Sequence, residues 1–127
     1  MKYLLDTHAV IWYFEDSPEL SQEITGLIDN PEISIYICSV SLWEIAIKMN
    51  LNKLKLRMTF EELLKNIKTR DFYIIQIEDE YLNNLSKLPH IHKDPFDRMI
   101  ISSALAEDLT IITIDENIQK YDVSWIW

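Results

Sequence analysis

Lys2-Tyr3-Leu4-Leu5-Asp6-Thr7-His8-Ala9-Val10-Ile11-Trp12 opens the chain with a short apolar run that stops on an acid. Tyr3 to Leu5 show no polar alternation, which is the pattern of a strand covered on both faces. Thr7 to Phe14 then read as a helix, with Ala9, Val10, Trp12 and Tyr13 among its apolar residues. A buried strand that runs straight into a helix is the first half of a crossover unit. The remainder of the chain repeats that arrangement.

Ser17-Pro18 ends the first helix, and Pro18 suits the first turn of a second one reaching to about Asp29. Asn30-Pro31 is a turn. Ser34 to Ile37 form a second buried strand, followed by a helix from Ser39 to Asn50. Leu51 to Met58 are a loop or short turn, and Thr59-Phe60-Glu61-Glu62 is a capping box for a helix to about Thr69. A third strand runs from Phe72 to Gln76, a helix from Glu78 to Lys87, and a loop from Leu88 to Pro95. Phe96 to Asp108 are a strongly apolar helix, Thr110 to Thr113 a fourth strand, Glu116 to Tyr121 a short helix, and Val123 to Trp127 an edge strand. Strands alternating with helices require crossover connections. The fold class is therefore α/β, with a mostly parallel sheet of four to five strands and helices on both faces.

Length and composition agree with one domain over residues 1–127: about half of the 127 residues are apolar. Cys38 is the sole cysteine and lies in an apolar setting, so it reads as a buried, inert thiol. The opening MKYLLDTHAV lacks the pattern of a signal peptide, and no apolar stretch approaches a membrane span, so a cytoplasmic location is expected. Gly26 is the single glycine, which leaves no room for a glycine-rich phosphate loop. Twelve Lys and Arg against 21 Asp and Glu give a net charge of −9, the wrong sign for a nucleic-acid binder. Cations bound by converging acids, or a basic partner, would reverse that field locally.

The acids fall where such convergence is expected, because sites in parallel sheets form beyond the carboxyl ends of the strands. Asp6 directly follows the first strand and Asp115 the fourth. Glu44 lies within two turns of the start of the helix after the second strand. Asp97 begins the helix before the fourth strand, and Asp94 sits three residues upstream. Each acid has a plainer reading. Asp6 and Asp115 suit helix caps, Asp94 a turn before Pro95, and Asp97 a first helical turn; Glu44 completes a Ser41-to-Glu44 capping box and can pair with Lys48. Five acids at one rim are harder to explain by capping alone. Clustered carboxylates repel, and Mg²⁺ or Mn²⁺ relieves that repulsion with the oxygen ligands these ions prefer. Acids without a phosphate loop point to metal-assisted phosphodiester hydrolysis. His90 and His92 have no second metal-like pair, so zinc is not expected. His8 is expected on a helix surface, and His92 is expected to shape the loop of the site.

Four segments resemble a known family. Leu4 to Trp12 look like the opening of PIN-domain toxins of the VapC type. Ser41-Leu42-Trp43-Glu44-Ile45-Ala46-Ile47-Lys48 is similar to their second motif. His92-Lys93-Asp94-Pro95-Phe96-Asp97-Arg98-Met99-Ile100-Ile101 is similar to the third, in the subgroup carrying DPFDR, and Thr110 to Asp115 to the fourth. Ile101, Ser102 and Ser103 depart from the small alanines common there. The resemblance implies an α/β/α sandwich of the PIN type and an acidic quartet of Asp6, Glu44, Asp97 and Asp115 around Mg²⁺ or Mn²⁺, with Asp94 auxiliary. It implies endonucleolytic cleavage of RNA, commonly tRNA or ribosomal RNA, control by a cognate antitoxin, and a homodimer. Thr7, Lys48, Arg98 and Thr113, beside the motifs, are candidate substrate contacts. Trp12, Tyr13 and Trp43 are candidates for a dimer or antitoxin surface as well as for the core. Two other readings stay open: a housekeeping RNA-processing nuclease of the same fold, and a non-catalytic scaffold.

Overall fold

The computed structural model describes residues 1–127. Along the chain run β1 (Lys2–Leu5), α1 (Thr7–Phe14), α2 (Gln22–Asp29), β2 (Ser34–Cys38), α3 (Ser39–Asn50), α4 (Phe60–Thr69), β3 (Tyr73–Ile75), α5 (Asp79–Lys87), α6 (Pro95–Glu107), β4 (Thr110–Ile112), α7 (Glu116–Gln119) and β5 (Trp125–Ile126). The five strands form one sheet in the order β3-β2-β1-β4-β5. Every neighbouring pair is parallel. β1 is central and pairs on both sides, with Leu5 level with Ile37 of β2 and Ile112 of β4.

Period-2 alternation divides the core into two layers. Tyr3, Leu5, Ile35, Ile37 and Ile112 face one way and pack with Val10 of α1, Ile24 and Ile28 of α2, and Leu63 and Ile67 of α4. Leu4, Cys38 and Ile111 face the other and pack with Tyr81 of α5, Ile100 and Ile101 of α6, and Ile118 of α7. This is an α/β/α sandwich. Cys38 is fully buried, as its apolar setting implied, and burial pushes its thiol pKa up. No helix is long and apolar enough to cross a membrane.

Two local expectations are corrected. Pro18 does not start a helix: Leu20 N–H bonds to Ser17 in a turn, and α2 starts at Gln22, capped by Ser21, whose hydroxyl accepts from Ile24 N–H at 3.2 Å. Ser41 and Glu44 do not form a capping box, because α3 begins at Ser39, with Cys38 as its cap residue. That places Glu44 in the second turn and frees it from a capping role. At Thr59 the N-cap half of the expected box forms, with the hydroxyl accepting from Glu62 N–H at 3.1 Å.

The near-absence of glycine has a structural counterpart. After α1, α3, α4 and α6 the backbone turns through left-handed conformations at Asp16, Asn52, Asp71 and Asp108, with φ of 50°, 57°, 58° and 54°. Glycine fills such positions at least cost, and Asp or Asn are the next most tolerated. At Asp108 the charge also sits at the negative end of the α6 dipole, while Leu109 N–H closes the helix on the Ala104 carbonyl at 2.9 Å. Asp108 is exposed and has no side-chain hydrogen bond to lose. Asp108→Gly should therefore stabilise the protein by about 1 kcal/mol, and Asp108→Val should destabilise it by about as much. Denaturant midpoints at constant slope check both directions.

Candidate functional site

The register of β1 with its neighbours decides which residues emerge together at the carboxyl rim. Asp6 follows β1, and its backbone N–H still reaches the Ile112 carbonyl of β4 at 3.2 Å. Its Oδ1 caps α1 by accepting from Ala9 N–H at 2.9 Å. Its Oδ2 accepts from the Thr113 hydroxyl, just past β4. The Thr113 Oγ1 accepts in turn from Asp115 N–H at 3.0 Å. Asp6 is 3% exposed. Burial pushes its carboxyl pKa up; the hydrogen bonds from Thr113 and Ala9 pull it back, as does the charge of His8, while Asp115 adds to the rise.

Glu44 approaches from α3 and is buried. Its Oε1 accepts from the Thr7 hydroxyl at 2.8 Å, and Ser41 Oγ lies 3.0 Å from the same hydroxyl. Its Oε2 pairs with Lys48 Nζ at 2.8 Å. Thr7 is the residue after Asp6, so the hydroxyl links the α1 and α3 acids. Asp115 caps α7 through Oδ1, accepting from Asn117 N–H at 2.8 Å and Ile118 N–H at 3.4 Å.

Asp97 lies in the first turn of α6. Asp94 caps that helix, its Oδ1 accepting from Phe96 N–H at 2.9 Å and Asp97 N–H at 3.1 Å. Asp97 Oδ2 meets His92 Nε2 at 3.0 Å. Its carboxyl pKa is pushed up to about 6, first by burial; the His92 bond lowers it, and the charges of Asp94 and Asp115 raise it. Asp115 therefore lies within electrostatic reach of both Asp6 and Asp97.

The capping readings of Asp6, Asp94 and Asp115 and the site reading are compatible, because each cap uses Oδ1, which leaves Oδ2 to Thr113 in Asp6 and without a protein donor in Asp94 and Asp115. The candidate contacts are placed less uniformly. Thr7 and Thr113 are buried against the acids, and Lys48 is ion-paired yet partly exposed. Arg98 departs from expectation. It is 7% exposed, and its guanidinium donates to the Pro89 carbonyl at 2.8 Å, the Leu88 carbonyl at 3.3 Å and the Tyr121 hydroxyl at 2.9 Å. A guanidinium turned inward with these donors engaged does not reach a solvent-borne phosphate. Tyr121 carried no sequence signal and Ser41 was read only as a cap, since their contacts depend on partners 29 and 34 positions away.

The donor chemistry fits a hard divalent cation, as carboxylate oxygens come from four separate segments. No three His, Cys, Asp or Glu side chains are grouped as a ready-made ion cage. Each acid is instead satisfied singly, Asp6 by Thr113, Glu44 by Thr7 and Lys48, and Asp97 by His92. Three clefts of about 390, 380 and 400 Å³ lie elsewhere, all bordered by Asp29. The acids occupy an open edge rather than these hollows.

The model of one family, described as the PIN domain, matches residues 3–124. The chain belongs to the PIN-domain family. Its fold is that of several solved structures. A chain of VapBC2 from Rickettsia felis, bound to a DNA fragment from their promoter, superposes with TM-score 0.76 at 20% identity, covering 99% of this chain and 98% of that one. VapBC-1 from nontypeable Haemophilus influenzae gives 0.69 at 18% identity, with coverage of 99% and 97%. FitAcB from Neisseria gonorrhoeae gives 0.68 at 19%, with coverage of 100% and 97%. At these identities the likeness is one of fold. Comparison with curated proteins gave no match.

The raised Asp97 pKa has a consequence for this PIN domain without metal. The folded value, about 6, lies above the ordinary 3.8, so the folded state binds the proton more tightly and ionisation costs stability. That cost is absent below the unfolded pKa and complete above the folded one. At ~1.4 kcal/mol per unit, it is at most about 3 kcal/mol. Wild type should thus gain stability relative to Asp97→Asn as pH falls from above 6 toward 4. Paired thermal melts in chelator across that window measure it, and parallel curves would contradict it.

Proposed function

We propose that the chain is a single PIN domain, residues 1–127, acting as a metal-dependent endoribonuclease, the toxin of a toxin–antitoxin pair. What supports this reading is that the charge of Asp115 acts on both Asp6 and Asp97, with Glu44 joined to Asp6's neighbour Thr7. Neighbouring carboxylates repel one another, and a bound cation would relieve that repulsion.

In this reading Asp6, Glu44, Asp97 and Asp115 hold Mg²⁺ or Mn²⁺. Bound there, the cation supplies positive charge for the scissile phosphate and polarises the attacking water. Thr113 and Thr7 orient the carboxylates of Asp6 and Glu44 through single hydroxyl donors. Lys48, paired with Glu44 at 2.8 Å, would be placed to meet a phosphate oxygen if Glu44 turned to a cation. The surplus of −9 charges makes a metal-free rim repel RNA, so substrate binding and cation binding are coupled. Asp94 acts mainly by capping α6 under Asp97.

The partners follow from the same reading. The structural relatives include toxin–antitoxin complexes, among them one from Klebsiella pneumoniae, and a basic antitoxin segment laid over the acids would neutralise them. Trp43, 60% exposed, and its edge-on neighbour Phe96 at 5.4 Å offer an apolar surface for that segment or for a second copy in a homodimer. The residence is the cytoplasm, where the RNA is.

Incubation of the purified chain with total RNA, with mapping of product ends, tests the proposal. Cleavage should appear with Mg²⁺ or Mn²⁺, vanish in EDTA, and return on metal addition; full activity in chelator after exhaustive dialysis would refute metal dependence. Asp97→Asn should abolish cleavage while keeping the fold. Asp94→Asn keeps an amide oxygen able to cap α6, so it should lose only about 10- to 100-fold. The reverse order would unseat Asp97 as a primary ligand.

A further inference from the structure

The hydrogen bonds around Tyr121 can be counted to completion. Its hydroxyl receives Arg98 Nη1 at 2.9 Å and His92 backbone N–H at 3.3 Å. It also lies 2.8 Å from His92 Nδ1. A phenol accepts at most two hydrogen bonds and donates one. With both lone pairs taken, the phenolic proton is the one left to fill the gap to Nδ1. Arg98 never deprotonates, so its N–H cannot become an acceptor. Nδ1 therefore carries a lone pair, and the proton of the neutral ring sits on Nε2, 3.0 Å from Asp97 Oδ2.

The environment of Arg98 shows that this is a built arrangement. The side chain is buried and has no carboxylate partner. It is solvated instead by the carbonyls of Leu88, Pro89 and, at 3.5 Å, His92, all in the loop that carries the histidine. The guanidinium thus holds both ends of the His92 contact, the loop backbone and the tyrosine hydroxyl. Tyr121 is 5% exposed and packs edge-on against the His92 ring at 5.5 Å. It follows α7, the helix capped by Asp115, so the segments bearing Asp97 and Asp115 meet at its hydroxyl.

We propose that Arg98 and Tyr121 are positioning residues that lock His92 as its Nε2–H tautomer, and that this lock fixes the Asp97 carboxylate, with Oδ2 held by His92 and Oδ1 left without a protein partner. The functional part rests on the nuclease reading above; the tautomer does not. A carboxylate with one oxygen anchored and one free loses less freedom on meeting a cation than one that rotates.

Ring-nitrogen NMR of ¹⁵N-labelled, metal-free protein above neutral pH reads the tautomer directly. Wild-type His92 should show a protonated Nε2 and an unprotonated Nδ1. Tyr121→Phe should shift the Nδ1 resonance by removing its hydrogen-bond donor, and lower kcat for RNA by about 10- to 100-fold with KM unchanged. His92→Gln, whose amide can still donate to Asp97, should keep more of the wild-type kcat than His92→Ala. A wild-type ring protonated on Nδ1, or a Tyr121→Phe protein with wild-type spectrum and kcat, overturns the lock. Should Tyr121→Phe fail to fold, the wild-type spectrum and the His92 pair decide. A wild type that cuts no RNA overturns the nuclease reading, while the His92 spectrum still upholds or overturns the tautomer.

Discussion

β1 hydrogen-bonds on both sides, and the rest of the molecule depends on that. A strand pinned between β2 and β4 in parallel register releases its carboxyl end level with theirs, so Asp6, the start of α3 and Thr113 leave the sheet at one height. Sequence positions as distant as 6 and 113 become neighbours without any side chain having to reach. The same pinning makes Asp6 costly, because its carboxylate is carried into the sandwich. Two donors, the Ala9 N–H and the Thr113 hydroxyl, offset part of that desolvation.

The acids show how a small fold obtains two uses from one side chain. A carboxylate has two oxygens, and helix capping needs one. Asp6, Asp94 and Asp115 each give Oδ1 to the first turn of a helix. The cap fixes the side chain's rotamer and orients the second oxygen at the same time. Glu44 stands apart, since it sits inside α3 and is oriented by a hydroxyl and an ammonium instead. Capping thus orients each of the three Asp carboxylates before any further use.

Much of this was legible in the chain itself. Uninterrupted apolar runs at Tyr3–Leu5, Ser34–Ile37 and Thr110–Ile112 mark strands covered on both faces, and their alternation with helical segments implies parallel crossovers. Acids at the ends of such runs mark the rim. What stayed hidden depends on long-range partners. Pro18 is locally a good helix start, but Ser21 supplies the side-chain cap and wins. Ser41 to Glu44 matches a capping box in spacing, yet the helix begins two residues earlier because β2 runs into it without a loop. Arg98 reads as a surface cation beside a motif; only the fold shows it turned toward Tyr121 and the 88–92 carbonyls. The order of the inner strands was likewise beyond local pattern, although Val123 to Trp127 read as an edge strand and β5 lies at an edge.

The bond from Thr113 to Asp6 spans 107 positions, and that span has a meaning during synthesis. β1 is made well before β4, so the centre of the sheet closes only once β4 has followed it. An unfinished polypeptide has one bare edge on β1, with Leu4 and Leu5 uncovered, and its acids remain scattered along a flexible thread. It is a substrate for proteases and an aggregation hazard rather than a working molecule. Assembly of the rim therefore waits on β4, and a chain that stops short of it leaves Asp6 without its Thr113 donor.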